Sequence, residues 1–327
     1  RFEVQSFDDP AWPQSGRKAA ARAVSNYPRA ATASAPLRQD LFVPTARYPC
    51  FRQPAILATS SGWLLAFAEN RNVSACAPNA RALDGAAVSA DAARGAPNEI
   101  GSLLVRRSAD GGATWGPLET VVSGDVDFYT IVDDAATRVQ WLFVQARTET
   151  LVFNSTDDGA TWSEPANFFE AWPAVVLPPG MSGARPAVGH GIQLSGGANE
   201  ERAAESNLVG AGRLVLPMVC TNATAVAWKG DTSCMACNSC VLFSDDHGVT
   251  WAFGGVAQQG SRESQLVETA MTPVGPRPAA HLRSEARASA LYVNARNLGA
   301  TPGHRMVAHS EDGGETLGGF AIDRSLV

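Results

Sequence analysis

SADGGATW (Ser108–Trp115), STDDGATW (Ser155–Trp162) and SDDHGVTW (Ser244–Trp251) are copies of one octapeptide, and SEDGGETL (Ser310–Leu317) is a fourth copy ending in Leu. Each copy has the chemistry of a tight hairpin turn. The Ser and Asp side chains can bond nearby backbone groups and close the turn from within. Glycine supplies a positive φ where a side chain would clash. The final Trp offers a large apolar anchor against the face of the sheet that the turn joins. Short alternating segments surround the turns: Gly62–Glu69, Ser102–Arg107, Arg138–Gln145, Gly212–Val219 and Ala290–Ala295. Each reads as a strand bounded by Gly, Asp or Asn.

The octapeptides start at 108, 155, 244 and 310, separated by 47, 89 and 66 residues. A β-propeller blade takes roughly 40–50 residues. The spacing therefore predicts one blade in the first interval and two in the second, one of them without an octapeptide. The third interval predicts one blade with an insertion at Pro273–Arg287. The expected fold is all-β, a six-bladed propeller whose last blade or blades are incomplete in this chain. Residues 41–327 form that propeller, and residues 1–40 read as a poorly structured lead-in. Only Arg17–Ser25 has helical propensity.

Composition narrows the function. The chain has 327 residues, 45% of them hydrophobic and 18% charged, which fits a globular protein with a real core. A net charge of −6 argues against a nucleic-acid binder, whose phosphate-neutralising surface needs clustered positive charge. No apolar run approaches the roughly 18 residues of a membrane span. All but two of the 26 basic residues are arginine, so an isolated Arg carries little weight and each must be judged by its surroundings. Sequons at Asn72, Asn154 and Asn222 and the cysteine content point weakly to a secreted or lysosomal-type compartment. Cys234, Cys237 and Cys240, with Cys220 upstream, stand before the third octapeptide in an expected hairpin loop. Their spacing is open to disulfides, free thiols or a metal; the even count of six and the lack of a suitably spaced His favour disulfides.

At several ordered positions the chain resembles the sialidase (neuraminidase) superfamily, in which the octapeptide is the Asp box. Phe51-Arg52-Gln53-Pro54 resembles the FRIP motif with Gln in place of Ile. Glu263-Ser264-Gln265, within RESQLVE, resembles the segment holding the Glu that partners the nucleophile. Val293-Asn294-Ala295-Arg296-Asn297 resembles the strand-end motif of the second carboxylate-binding Arg, and Gly189–Leu194 followed by Gly212–Pro217 the central segment. Ala68-Glu69-Asn70-Arg71 resembles the second-strand residues that line the sugar pocket. The resemblance runs from about residue 42 to 327. It implies an exo-α-sialidase acting on sialylated glycoproteins, glycolipids or oligosaccharides, without a cofactor or metal. Arg52, Arg71, Glu69 and Arg296 would bind substrate and Glu263 would be catalytic.

The chemistry accounts for these residue types. A sialic acid carries a planar carboxylate on its anomeric carbon, and a guanidinium matches it with two parallel charge-assisted bonds. The same anion would repel an Asp or Glu nucleophile, and sialidases use Tyr instead. A separate Asp protonates the leaving group and then deprotonates water. In the family this Asp follows the equivalent of Arg71 closely; here the interval 72–98 is long and offers Asp91, nearer the following strand, and Asp84. The family's third Arg and its Tyr lie downstream of the second Arg. The four tyrosines of this chain, Tyr27, Tyr48, Tyr129 and Tyr292, all precede Arg296, while Arg305 lies before the fourth box and Arg324 near the end. The expectation is a C-terminally truncated sialidase, inactive as this fragment. Trans-sialidation shares the first half-reaction. A non-enzymatic Asp-box propeller would keep the boxes without the Arg and Glu set, and a glycosidase of neutral glycans would have no use for Arg52 and Arg296.

Overall fold

The computed structural model describes residues 38–71, 76, 101–124, 126–195, 212–222, 237–269, 290–298 and 303–324. Of two compact units, Pro44–Val327 carries every described strand. The expected lead-in and its helical stretch lie outside the described residues, apart from 38–40.

The first sheet is β1 (Phe51–Ala58), β2 (Leu64–Asn70), β3 (Ser102–Ser108) and β4 (Glu119–Val122), antiparallel in that order. The second is β5 (Val126–Asp134), β6 (Val139–Ala146), β7 (Glu149–Ser155) and β8 (Ala166–Asn167). One helical turn, α1 (Phe168–Ala171), follows, with the Asn167 side chain accepting from the amides of Phe169 and Glu170. Three short strands come next: β9 (Met181–Pro186), β10 (Val188–His190) and β11 (Ile192–Gln193). Strand β10 adds to β5 in parallel, whereas β9 and β11 both pair with β12 (Leu214–Asn222). The third sheet continues through β13 (Cys237–Ser244) and β14 (Ala252–Gln259), and the fourth is β15 (Ser261–Thr269), β16 (Ala290–Asn297), β17 (Arg305–Ser310) and β18 (Gly318–Asp323).

Four blades result among the described residues, packed face to face in sequence. Phe67, Leu103 and Leu65 of the first blade meet Tyr129, Ile131 and Leu142 of the second in one core. Val132, Phe143 and Phe168 meet Leu214, Leu216 and Leu242 in the next, and Val215 and Val241 meet Leu291 and Val293 in the third. Packed against the second blade, β2 is buried at every residue after Leu64, the apolar run Leu65–Ala68 being followed by the buried polar pair Glu69 and Asn70.

Each Asp box connects the third and fourth strands of a blade. In the first, Ser108 Oγ donates to Asp110 Oδ1 at 2.7 Å and accepts the Gly112 amide at 2.9 Å. Thr114 Oγ1 closes the far side on Asp110 Oδ2 at 2.6 Å. The same three bonds recur in the other boxes. Two consecutive residues take positive φ in every copy, so Asp158 (56°) and His247 (61°) adopt a conformation that Gly111 and Gly313 adopt freely.

Three sequence expectations are corrected. Among the described residues the 89-residue interval carries one blade where two were expected, and α1 and the split edge β9 to β11 lie on the path into β12. The terminal Trp anchors on the preceding blade as well as its own: Trp162 packs edge-on against Phe67 of the first blade, and Trp251 against Phe143 and Trp141 of the second. In the fourth box Leu317 joins the core shared with Val215 of the third blade. Cys237 and Cys240 lie in β13, not in a loop, and a Cys220–Cys240 disulfide ties β12 to β13. Cys237 is also disulfide-bonded, and a second described disulfide joins Cys50 to Cys76. The 66-residue interval holds one blade, and its expected insertion falls between β15 and β16, outside the described residues.

Candidate functional site

The box-bearing end of each blade is where the first strand finishes and the third strand finishes. The opposite end gathers the start of the first strand, the end of the second and the start of the third. Arg52, Glu69 and Arg71 stand at that opposite end in the first blade, Asp127 in the second, and Glu263, Arg296 and Arg305 in the fourth. Arg52 pairs with Glu69 in register, Arg262 with Arg296, and Arg296 with Arg305.

Blades one and four share a local device. The pairing of β1 with β2 slips between Arg52 and Ala55, and that of β15 with β16 between Arg262 and Gln265. A residue of left-handed backbone sits at each slip: Gln53 at φ 51° and Glu263 at φ 49°. Such a conformation costs about 1–2 kcal/mol for an L-residue and clusters at functional sites. Neighbours hold both in place. Tyr129 Oη donates to the Gln53 carbonyl at 2.5 Å, and Arg305 Nη2 reaches the Glu263 carbonyl at 3.4 Å.

Two charged groupings result. In the first, Glu69 Oε2 accepts from Arg71 Nε at 2.7 Å and lies 2.5 Å from its Nη2 in an ion pair. Arg71 Nη2 also meets Asp127 Oδ1 at 2.9 Å and the Asp127 carbonyl at 2.6 Å. The Glu69 side chain is 0% exposed while Asp127 is 50% exposed, so Asp127 presents the outer surface of this group. Burial pushes the Glu69 carboxyl up to about 8, against the opposing pull of Arg71 and Arg52. In the second grouping, Arg296 Nη1 donates to both oxygens of Glu263, and Arg262 Nε lies 3.5 Å from Glu263 Oε1. Burial holds Arg305 below its ordinary value, with Glu263 offsetting and Arg296 adding to the effect.

Arg185 on β9 stands between the two groupings. Its guanidinium lies 4.4 Å above the Phe128 ring, donates to Gln145 Oε1 at 3.0 Å and approaches Asp127 Oδ2 to 3.8 Å. Burial lowers its pKa, the field of Asp127 opposes this, and Arg262 and Glu263 also act on it. This end therefore gathers guanidinium groups from several strands beside the carboxyl groups of Glu69, Asp127 and Glu263.

Of the expected site residues, Glu69 and Arg71 come into direct contact, as do Glu263 and Arg296, and Arg52 stands beside Glu69. Asp91 and Asp84 lie outside the described residues. Asp127, Arg185 and Arg262 escaped the sequence reading, which considered Arg305 only to set it aside for its position before the fourth box. Asp127 and Arg262 had a usable signal, since each is a charged residue opening an inner strand. Among the described residues no group of three His, Cys, Asp or Glu could hold a metal ion, and no helix is long and apolar enough to cross a membrane. A surface depression of about 280 Å³ lined by Trp63, Arg107, Thr114 and Glu119 belongs to the opposite, box-bearing end.

No protein-family model matches the chain. A curated relative, a sialidase of Micromonospora viridifaciens, is 28% identical over 344 aligned positions, covering 94% of this chain and 43% of the relative. Among solved structures, the Hadza microbial sialidase Hz136 is 19% identical, with a TM-score of 0.53 over 86% of this chain and 47% of its own. The leech intramolecular trans-sialidase is 14% identical, with a TM-score of 0.54 over 88% of this chain and 53% of its own. The chain thus spans less than half the length of the curated relative it matches. At these identities the structural likeness speaks for the fold.

Proposed function

We propose that this chain, a member of the sialidase superfamily, carries the carboxylate-gripping part of an exo-α-sialidase that removes terminal sialic acids from glycoconjugates with retention of configuration. The observation that carries the reading is the pairing of Glu263 with Arg296 at the propeller end that also bears Arg52. Residues 41–327 are then the propeller portion, in a ring that the resemblance makes six-bladed.

In this reading Arg52 and Arg296 take the substrate carboxylate with charge-assisted bonds, and Arg71 with Asp127 lines the sugar ring. Glu263 accepts the proton of a tyrosine hydroxyl as its oxygen attacks the anomeric carbon. An Asp of the segment 72–98, Asp91 or Asp84, protonates the departing glycosidic oxygen and then takes a proton from the water that releases the sugar. The nucleophile is not assigned within the described residues. Tyr129 is fully buried with its hydroxyl on the Gln53 carbonyl, and Tyr292 meets the His309 ring edge-on.

The test is release of sialic acid from a fluorogenic sialoside by the full-length protein, with the anomer identified by NMR. Release of the α-anomer first supports the proposal. Binding of sialosides without turnover would instead indicate a non-enzymatic propeller, and turnover of neutral glycans alone would remove sialic acid from the assignment.

A further inference from the structure

We propose that Glu69 is a positioning residue, not a sugar ligand, which holds Arg71 toward Asp127 and whose own charge competes with the substrate anion for the arginines of the pocket. The proposal rests on the sialoside reading above for the identity of that anion.

Three observations carry it. The Glu69 side chain is 0% exposed, so no sugar can reach it without displacing what covers it. Its Oε2 accepts from Arg71 Nε and is ion-paired with Nη2, which orients that guanidinium so that Nη2 donates to the Asp127 carbonyl and meets its carboxylate. Its Oε1 is buried without a hydrogen-bond partner, an arrangement that disfavours the ionised form. The groups facing Glu69 are Arg52 on β1, Arg71 after β2, and Asp127 and Tyr129 on β5, while β3 places Leu103 opposite it. Burial keeps Tyr129 neutral, its pKa raised well above its ordinary value. Arg52 and Arg71 therefore face a carboxyl that burial keeps protonated up to about pH 8. When that proton leaves, a negative charge appears among the arginines that would grip a carboxylate.

The sign follows directly. Substrate affinity is greatest while Glu69 is neutral and falls as pH rises through its pKa. The experiment measures kcat and KM of the full-length protein on a fluorogenic sialoside from pH 6 to 9, for the wild type, Glu69→Gln and Glu69→Ala. Wild-type KM should climb on the order of fivefold over that range, and that of Glu69→Gln should stay flat. Glu69→Ala, which frees Arg71, should raise KM about tenfold at pH 6 with kcat within about threefold. A Glu69→Gln profile that climbs as the wild type does would overturn the proposal, as would an unchanged KM in Glu69→Ala. Should Glu69→Ala not fold, the Glu69→Gln profile decides alone. A second arm follows the Nε–H resonance of Arg71 by NMR in 15N-arginine-labelled protein. It should titrate in the wild type and not in Glu69→Gln, and a resonance insensitive to pH sinks the proposal. Because that arm needs no substrate, failure to turn over sialosides would remove the sialidase reading and leave this one standing or falling by itself.

Discussion

Arg296 places one nitrogen, Nη1, 3.0 and 3.1 Å from the two carboxylate oxygens of Glu263, reaching across from the neighbouring strand at the point where the β15–β16 register slips. The slip coincides with left-handed backbone at Glu263, and the side chains of consecutive residues, Arg262 and Glu263, lie 3.5 Å apart. On the proposed reading, one substitution at Arg296 removes a ligand of the substrate carboxylate and the counter-charge of Glu263 together.

Arg296→Ala is expected to lower kcat/KM for a sialoside by a factor of about 100 or more, since a charge-assisted pair contributes roughly 3 kcal/mol where water is excluded. Arg296→Lys should recover only part, because an ammonium cannot form two parallel bonds to a planar carboxylate. A loss below about tenfold in Arg296→Ala would count against the assigned pocket.

Glu69 also makes a prediction about stability. Its folded-state pKa of about 8 lies above the ordinary 4.5, so the native chain binds the extra proton between those values. Stability contributed by this group is present below about pH 4.5 and declines as pH rises to about 8. Each unit corresponds to roughly 1.4 kcal/mol at most, so the whole effect is a few kcal/mol. Glu69→Gln should flatten the fall in urea midpoint between pH 5 and 8.5. Parallel curves for the two proteins would contradict the assignment.

Arg213 joins the third blade to the fourth. Its side chain is 3% exposed, is stacked 4.0 Å from the Phe243 ring, and pairs with Asp245 at 2.7 Å and Glu315 at 2.9 Å. It also donates to the carbonyls of Asp312 and Gly313 within the fourth Asp box. Arg213→Ala should destabilise the chain by about 2–4 kcal/mol, read as a shift in urea midpoint. Arg213→Met, which keeps the packing on Phe243, should recover part of the loss.

Trp251 tests the role of the boxes as joints between blades. It is 5% exposed and meets Phe143 and Trp141 of the preceding blade edge-on. Trp251→Ala should cost about 3–5 kcal/mol of folding stability, whereas the same change at half-buried Trp115 should cost clearly less. Equal losses at the two positions would show that the Trp acts only within its own blade.

The sequence by itself determined the turns and the strands around them. A box needs only eight contiguous residues, and Ser108, Asp110 and Thr114 close their turn through bonds spanning two to four positions. The five segments read as strands correspond to β2, β3, β6, β12 and β16 for the same reason, since alternation and bounding glycines are local signals. Arg52, Glu263 and Arg296 were legible through motifs of three to five residues. What only the tertiary structure decided is which blade each turn serves and which charges meet. The count of blades between the second and third boxes depended on β10 joining β5 of the second sheet while β9 and β11 both pair with β12 of the third, and no spacing rule encodes that. Asp127 reaches Arg71 across 56 positions of sequence, and Arg185 reaches the same Asp127 across 58. Their pairing exists because neighbouring blades bring strand ends to one rim. Likewise the burial that keeps Glu69 from the solvent, and so separates a positioning role from a binding one, is a property of blades packed face to face.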